Sequence, residues 1–212
     1  MSETATPYVL ARELIDAPAA IRRGPAPTSP RFDAPFTLRA ADPEGADPDL
    51  LAEWMRRPHL LQTWEQAWTA ERRRLDWRAQ LAGTYSRPYI LVLDFAAVGQ
   101  PELGRRDIAY VELYRPGKDE VGRLYAADPY DMGFHIATAD PALLGRGLVS
   151  GWIGQLATAV FAAEPECRRI ICDPDHRNAP MRRALAKNGY RELGLFDVRP
   201  DRRIALCELN RA

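Results

Sequence analysis

Two ionisable side chains stand where neighbouring strands of a sheet would bring them together. His135 lies inside the apolar run at residues 132–138, and Asp173 directly follows a second apolar run at residues 168–172. Both runs have the composition of buried strands. An imidazole, whose ordinary pKa is about 6.5, can take a proton at neutral pH. A carboxylate can orient that imidazole, or act as a base itself if burial raises its pKa. The sequence therefore predicts His135 and Asp173 as an acid–base pair.

A glycine-bearing turn lies between these two runs. Gly145 and Gly147 flank Arg146, and a helical pattern begins there and continues to about Ala163. The first N–H groups of a helix have no internal partner and carry partial positive charge, and glycine lets a phosphate approach them closely. The turn is therefore predicted to bind the pyrophosphate of a nucleotide-like ligand, with an ordinary turn as the alternative.

A polar stretch follows Asp173 and leads into another helix. Asp175, His176 and Asn178 lie within five residues of Asp173, and Asn178-Ala179-Pro180 is typical of a helix start, with asparagine as the cap. The helix is predicted to end at Asn188-Gly189. Asn178 therefore has a structural explanation as well as a possible ligand role. Because α/β sheets bind ligands where strands end, this loop is expected to border the cleft.

The strand at residues 132–138 is predicted to have two unlike faces, because side chains alternate along a strand. One face carries Phe134, Ile136 and Thr138, and the other carries Gly133, His135 and Ala137. Apart from the imidazole, the second face is small, and we expect it to let another molecule approach the backbone.

A mixed sheet with helices on both faces is the fold class, α/β, that would position these groups. Seven runs have strand character: residues 36–39, 89–95, 108–114, 132–138, 168–172, 191–198 and 203–209. A helix is predicted from Asp47 to the proline at 58, and helical pattern is again expected through residues 72–81 to Gly83. Trp64 and Trp68 are four residues apart, so on a helix they would share one face. They are interpreted either as core filling or as a wall of the acceptor pocket.

Composition excludes several classes of protein. The formal net charge is zero, which argues against a nucleic-acid-binding protein. No apolar run is long enough to span a membrane, and the first residues do not resemble an export signal, so a cytoplasmic location is expected. The three cysteines form no C-x-x-C pair, which indicates buried thiols in a reducing compartment. A catalytic role for Cys172 is the less favoured alternative.

The first 35 residues are predicted to be an extension of the main domain, which occupies residues 36–212. Prolines at 25, 27, 30 and 35 fix φ and remove backbone donors, so this Pro-rich segment cannot form a central strand. A short helix is expected within residues 8–21. The segment is predicted to lie across the surface of the domain and not to form a domain of its own.

These features together resemble the GNAT acyltransferases, which transfer an acyl group from coenzyme A to an amine. In that family an R/Q-x-x-G-x-G/A loop holds the pyrophosphate, and the aligned hexad here is residues 144–149. Gly145, Gly147 and the basic Arg146 match, but Leu144 and Val149 depart from the pattern. The resemblance implies a mostly antiparallel central sheet with a V-shaped splay. The tyrosine that often protonates the leaving thiolate in that family would fall at Leu185, so that role is vacant or filled by another group.

A narrower resemblance is to the lysine N-acyltransferases of siderophore biosynthesis, and above all to those of the mycobactin pathway. It covers roughly residues 36–209. The segments that match are residues 51–55, 57–60, 64–65, 83–86, 110–114, 127–131 and 173–178. The resemblance implies acylation of the side-chain amine of lysine or N6-hydroxylysine, or of an ornithine analogue, and assigns the acid–base roles to His135 and Asp173.

The remaining site residues are expected from the glycine turn, the polar loop, the basic and aromatic side chains and the two resemblances taken together. The donor-binding residues implied are Ile136, Ala137, Thr138, Gly145, Arg146, Gly147, Leu148, Val149, Ser150, Asn178 and Arg182. The acceptor-binding residues implied are Trp64, Glu65, Tyr85 and Tyr130. Further basic groups that could grip the phosphates are Arg177, Arg183 and Lys187.

The resemblance implies acetyl-CoA or a longer acyl-CoA as the donor substrate and no metal. The expected partners are the small amine and, as a further possibility, an acyl-carrier protein or a siderophore synthetase. Two other functions remain open from the residues. One is acetylation of an aminoglycoside or another small amine, which Glu53, Glu65, Glu112 and Asp128 would allow, and the other is a noncatalytic acyl-CoA-binding scaffold.

Overall fold

One sheet organises the chain in the computed structural model, which describes residues 8–64 and 66–212. Its strands are β1 (Phe36–Ala40), β2 (Ser86–Asp94), β3 (Arg105–Tyr114), β4 (Met132–Thr138), β5 (Arg169–Cys172), β6 (Arg191–Arg199) and β7 (Arg202–Asn210). Within the described residues these seven strands lie in the order β1-β2-β3-β4-β5-β7-β6. All neighbours are antiparallel except β4 and β5, which are parallel. The predicted mixed, mostly antiparallel sheet is confirmed.

The parallel pair β4 and β5 separates soon after it forms. The two strands pair only at Met132 with Ile170 and at Gly133 with Ile171. From Phe134 onward β4 continues along β3, while β5 ends at Cys172. The predicted V-shaped splay is therefore present, and beyond Gly133 the strand β4 does not pair with β5.

Helices cover both faces of the sheet. They are α1 (Ala19–Arg22), α2 (Asp47–Trp54), α3 (Pro58–Leu61), α4 (Ala70–Ala82), α5 (Leu148–Ala163) and α6 (Ala179–Lys187). The helices α5 and α6 pack Trp152, Leu156 and Leu185 into the main hydrophobic cluster. On the opposite face, α2 and α4 place Trp54 and Trp77 against Ile90 and Tyr110 of the sheet. No helix in the described parts of the chain is long and apolar enough to cross a membrane.

The prediction of a helical face shared by Trp64 and Trp68 is wrong. Both residues lie between the end of α3 and the start of α4 and have no helical conformation. The start of α4 is set by Thr69, whose hydroxyl accepts a hydrogen bond from the Arg72 N–H at 3.3 Å. This cap places the first helical residue at Ala70, after both tryptophans.

The segment before β1 is bonded to the connection between β3 and β4. The Leu14 N–H donates to the Lys118 carbonyl at 2.8 Å, and the Lys118 ammonium donates to the Gly24 carbonyl at 2.5 Å. Arg115 donates to the carbonyls of Pro25 and Ala26 at 2.9 and 3.1 Å. Because Arg115 and Lys118 are buried and their donors require partners, the segment that supplies these carbonyls is held in a defined path across the domain.

Gly133 is required by the packing of Tyr114, its partner on β3. A Cβ atom at Gly133 would lie 2.5 Å from Cζ of Tyr114 and 2.9 Å from its hydroxyl oxygen. Because Tyr114 is fully buried, we expect Gly133→Ala to lower the free energy of unfolding by about 1–3 kcal/mol. Urea denaturation measures this change.

Gly151→Ala is the matched control, since a Cβ atom there meets nothing within 4 Å in helix α5. Alanine should stabilise that helix by about 0.5–1 kcal/mol. Equal stability of Gly133→Ala and the wild-type protein would contradict the packing account.

Candidate active site

One face of β3 and β4 carries the polar groups of the site. Glu112 lies directly opposite His135 in the antiparallel ladder, and Tyr114 lies opposite Gly133. Side chains of directly opposed residues share a face, so the pairing itself brings the carboxylate to the imidazole. The expectation that this face admits another molecule over its small residues is wrong, because the Tyr114 ring fills the space above Gly133.

The imidazole of His135 is held between two carboxylates. Its Nδ1 is 3.4 Å from Glu112 Oε2, and its Nε2 is 3.1 Å from Asp173 Oδ1. The Tyr114 ring stacks on it with centroids 4.4 Å apart, and Trp64 meets it edge-on at 6.1 Å. The structure thus brings together the two residues singled out as an acid–base pair and adds a second carboxylate.

Both carboxylate oxygens of Asp173 accept hydrogen bonds. The Tyr114 hydroxyl donates to its Oδ1 at 2.6 Å, and Arg202 donates to its Oδ2. Burial alone would raise the pKa of this carboxyl, but the charges of His135 and Arg202 hold the pKa well below its usual range. Asp173 therefore stays ionised and is suited to orienting His135, whereas a role as proton acceptor would require a raised pKa.

His135 itself has a raised pKa. Burial would lower the pKa of an imidazole, because it penalises the charged form. The charge of Asp173 and hydrogen bonds to Asp173 and Glu112 outweigh burial and raise the pKa to about 9, although Arg12 acts in the opposite direction. The imidazole is thus a stronger base than usual, and it is protonated in most molecules at neutral pH.

Further charged side chains lie close to His135 and Asp173. Arg12 Nη1 is 3.2 Å from His135 Nε2, and Arg202 also donates to Glu120 at 2.5 Å. Asp119 accepts from the Tyr85 hydroxyl, and its pKa is raised to about 6 by burial and by the nearby Asp173 charge. The site is therefore a buried network of mixed charge in which every carboxylate has a donor.

Two cavities meet beside His135. A cavity of about 340 Å³ is lined by His135 and Asp173, and a second of about 630 Å³ is lined by the turn at Gly145 and Gly147. Residues that line both cavities are Gln62, Thr63, Trp64, Ile136, Arg177, Asn178 and Met181. A donor in the larger cavity would therefore place its reactive end next to an acceptor in the smaller one.

The turn before α5 fits a phosphate group. Gly145 and Gly147 have φ values of +72° and +80°, and a Cβ atom on either would meet nothing within 4 Å. The left-handed backbone explains the glycines, and the open space in front of them is the cradle that a ligand would occupy. The α5 N-terminus follows at Leu148, and Val149 and Ser150 line the same cavity.

Peptide groups of β4 alternate in direction. The Ala139 N–H donates to the Ile108 carbonyl at 2.8 Å, so alternate residues such as Ala137 turn their peptide groups toward β3. Those of Ile136 and Thr138 consequently face the splay. Ala137, predicted to bind the donor, instead places its methyl group in the cluster with Tyr110.

Several predicted site residues lie elsewhere. Arg182 is bonded to Glu192 at 2.8 and 2.9 Å, and Tyr85 is buried against Asp119. Tyr130 lies in the turn before β4, outside both cavities. The residues Arg146 and Leu148 also line neither cavity, whereas Arg177 and Arg183 line the larger one. Glu65 lies outside the described residues.

Some residues of the site were not predicted. The sequence contained a signal for Tyr114, because it lies two residues beyond Glu112 and therefore on the same face of a strand. No sequence signal marked Arg202 or Arg12, since their contacts join parts of the chain that are far apart in sequence. Cys172 lines the smaller cavity, but burial raises the pKa of its thiol well above the usual value, which argues against a nucleophile.

Comparison with known proteins agrees with this geometry. Residues 44–198 match the model of the acetyltransferase (GNAT) domain. The chain is 44% identical over 202 residues to "Lysine N-acyltransferase MbtK" of Mycolicibacterium paratuberculosis, covering 95% of this chain and 86% of the relative. It is 27% identical to the "N(6)-hydroxylysine O-acetyltransferase" of Escherichia coli, covering 79% of this chain and 50% of the relative. An aminoglycoside acetyltransferase AAC(6')-Ib solved with coenzyme A has a TM-score of 0.67 and 25% identity, covering 83% of this chain and 95% of that one.

The raised pKa of His135 predicts a pH dependence of stability. An unfolded histidine titrates near 6.5 and folded His135 near 9. Its contribution to stability is therefore fully present below about pH 6.5 and is lost as the pH rises through about 9. Relative to His135→Gln, the free energy of unfolding of the wild-type protein should fall by up to about 3 kcal/mol across that window.

Urea denaturation at a series of pH values measures both proteins. Curves that run parallel from neutral to alkaline pH would show that the imidazole is not held by the two carboxylates.

Proposed function

Because the chain belongs to the GNAT acetyltransferase family, it is an acyl-CoA-dependent N-acyltransferase, and we propose that its acceptor is the side-chain amine of lysine or the hydroxylamine of N6-hydroxylysine. The product is an amide or a hydroxamate. Hydroxamates bind iron, so the reaction belongs to siderophore biosynthesis. The identity of 44% to a lysine N-acyltransferase supports this acceptor class.

The observation that carries the proposal is the junction of the two cavities at Trp64, Ile136 and Met181. The donor occupies the larger cavity, with its pyrophosphate at the turn before α5 and near Arg177 and Arg183. The acceptor occupies the smaller cavity, where its nitrogen reaches His135. Both substrates are bound together, and the acyl group passes directly from sulfur to nitrogen.

His135 takes the proton that the amine must lose. An alkylammonium ion has a pKa of about 10.4, so it is almost wholly protonated at neutral pH. A base with a pKa of about 9 is well matched to it. The amine nitrogen then attacks the thioester carbon, and the C–S bond breaks. The second proton that the nitrogen loses passes to the departing sulfur, directly or through water, so that CoA leaves as a thiol. The Ile136 N–H, which faces the splay, is placed to donate to the oxyanion.

Charge in the smaller cavity supports an amino acid as acceptor. The charged residues that line it are Arg12, Arg177, Arg202, Asp173, Asp175 and Asp201, together with His135, which is mostly protonated at neutral pH. This balance suits a zwitterion, which carries a carboxylate and an ammonium group on the same carbon. A polycationic aminoglycoside would need an excess of acidic groups, so the likeness to an aminoglycoside acetyltransferase supports the fold and the CoA donor more than that acceptor.

Acyl-CoA consumption tests the acceptor and the donor together. Lysine, N6-hydroxylysine, N5-hydroxyornithine and kanamycin are compared with acetyl, succinyl and long-chain donors. We expect the highest kcat/KM with lysine or N6-hydroxylysine. A preference for kanamycin would replace the proposed acceptor, and CoA binding without turnover of any amine would contradict the proposal. Delivery of the acyl group by a carrier protein, or association with a synthetase, stays a prediction.

Removal of the acid–base pair gives a second prediction. His135→Ala and Asp173→Asn should each lower kcat/KM about 10²–10⁴-fold, because the first loses the base and the second loses its orientation. In the wild-type enzyme kcat/KM should rise with pH up to about 9, as His135 loses its proton.

Matched controls are His176→Ala, whose side chain lines neither cavity, and Asp197→Asn, whose carboxylate is exposed. Both should retain activity within a few-fold. If the folded His135 and Asp173 variants also stay within a few-fold of the wild-type enzyme, these residues have no part in the chemistry.

A further inference from the structure

Arg12 enters the site from the segment that precedes the first strand of the sheet. Its own carbonyl accepts a hydrogen bond from the Glu120 N–H at 3.1 Å, and the adjacent Glu13 forms a bridge with Asp119. Leu14 is bonded to the Lys118 carbonyl at 2.8 Å. Backbone bonds at residues 12–14 therefore fix the position of Arg12, whose side chain lines the smaller cavity.

The two nitrogens of His135 have different surroundings. Within the described residues, the hydrogen-bond partner at Nδ1 is Glu112, which only accepts when ionised. Glu112 is itself fixed by Gln80, which donates to its other oxygen at 2.7 Å. Glu112 therefore favours a proton on Nδ1, just as Asp173 favours one on Nε2, and the neutral imidazole can keep only one of the two.

Nε2 has one hydrogen-bond partner when it is protonated and a different one when it is not. When it is protonated, it donates to Asp173 Oδ1 at 3.1 Å. When it is not, its lone pair can accept from Arg12 Nη1 at 3.2 Å. A guanidinium only donates and stays charged, so it can hydrogen-bond only to the neutral imidazole.

We propose that Arg12 is a positioning residue for the acyl transfer, which holds neutral His135 as the Nδ1–H tautomer with the Nε2 lone pair facing the cavity. The proposal rests on the function given above, in which His135 accepts the proton of the amine. The incoming amine displaces the guanidinium from Nε2. Once the proton has moved, Nε2–H donates to Asp173, and the like charge of Arg12 favours release of the proton.

The other charged groups around His135 do not duplicate this role. Glu112 and Asp173 favour the imidazolium ion, and Asp119 adds further negative charge. Arg202 is bonded to Asp173 Oδ2 and to Glu120, so it orients a carboxylate. Tyr114 stacks on the ring and donates to Asp173. Arg12 is the guanidinium that contacts the imidazole, and it lowers the pKa of His135 against the effect of the two carboxylates.

Nitrogen NMR of the imidazole tests the proposal without any turnover. With 15N-histidine, the neutral form of His135 in the wild-type protein should show a protonated Nδ1 and an unprotonated Nε2. In Arg12→Met the titration of His135 should move to higher pH, and in Arg12→Lys it should stay near the wild-type value. An Nε2–H tautomer in the wild-type protein, or an unchanged titration in Arg12→Met, would overturn the proposal.

Kinetics provide the second measurement. At neutral pH, Arg12→Met should lower kcat/KM by about tenfold for each unit by which the pKa of His135 rises, and the loss should diminish above about pH 9.5. Arg12→Lys should recover most of the activity. A loss that is the same at every pH would show that Arg12 only packs against the site.

Arg22→Met is the control, since Arg22 is an exposed residue of the same segment. It should leave the titration and kcat/KM unchanged. If Arg12→Met does not fold, Arg12→Gln replaces it, because glutamine keeps a donor and removes the charge. A shifted titration together with no turnover of any amine would uphold the role of Arg12 at His135 and reject the proposed function.

Discussion

The imidazole of His135, held between Glu112 and Asp173, is the arrangement on which the rest of the site depends. Burying two carboxylates is costly unless each has donors, and here the donors come from both neighbours and distant parts of the chain. Tyr114 and Arg202 bond Asp173, and Gln80 bonds Glu112. The network therefore ties β3, β4, α4, β7 and the end of β5 to one imidazole.

The splay between β4 and β5 gives this network the space that the two proposed substrates require. The strands pair at two positions and then diverge, which exposes peptide groups of β4 on one side of His135. The glycine turn and the start of α5 lie at the far end of the same opening. A thioester bound there would meet the proposed acceptor near Trp64, where the two cavities join.

The first described residues are part of this arrangement. Arg12 contacts His135, and the backbone around it is bonded to residues 118–120. Side chains of Arg115 and Lys118 bind carbonyls further along the same segment. Removal of the segment would take a cation from a buried cluster and leave those buried donors without partners, which is costly in a medium that water does not reach.

The amino-acid sequence by itself determined the elements and two of the groups that we propose carry the chemistry. Apolar runs and glycines were sufficient to predict β4 and the start of α5 after the turn at Gly147. They also placed His135 within a strand and Asp173 directly after one. These signals are local in the sequence. Membership of the family was also readable from short motifs.

Only the tertiary structure decided which groups surround the imidazole. Arg12 and Arg202 come from opposite ends of the chain, and no local pattern marks them, since their contacts arise from packing and pairing of distant segments. The pKa of His135 depends on the sum of those contacts and was expected near its ordinary value. Trp64 also lies in an irregular segment and not in a helix, because the cap at Thr69 places the start of α4 after it.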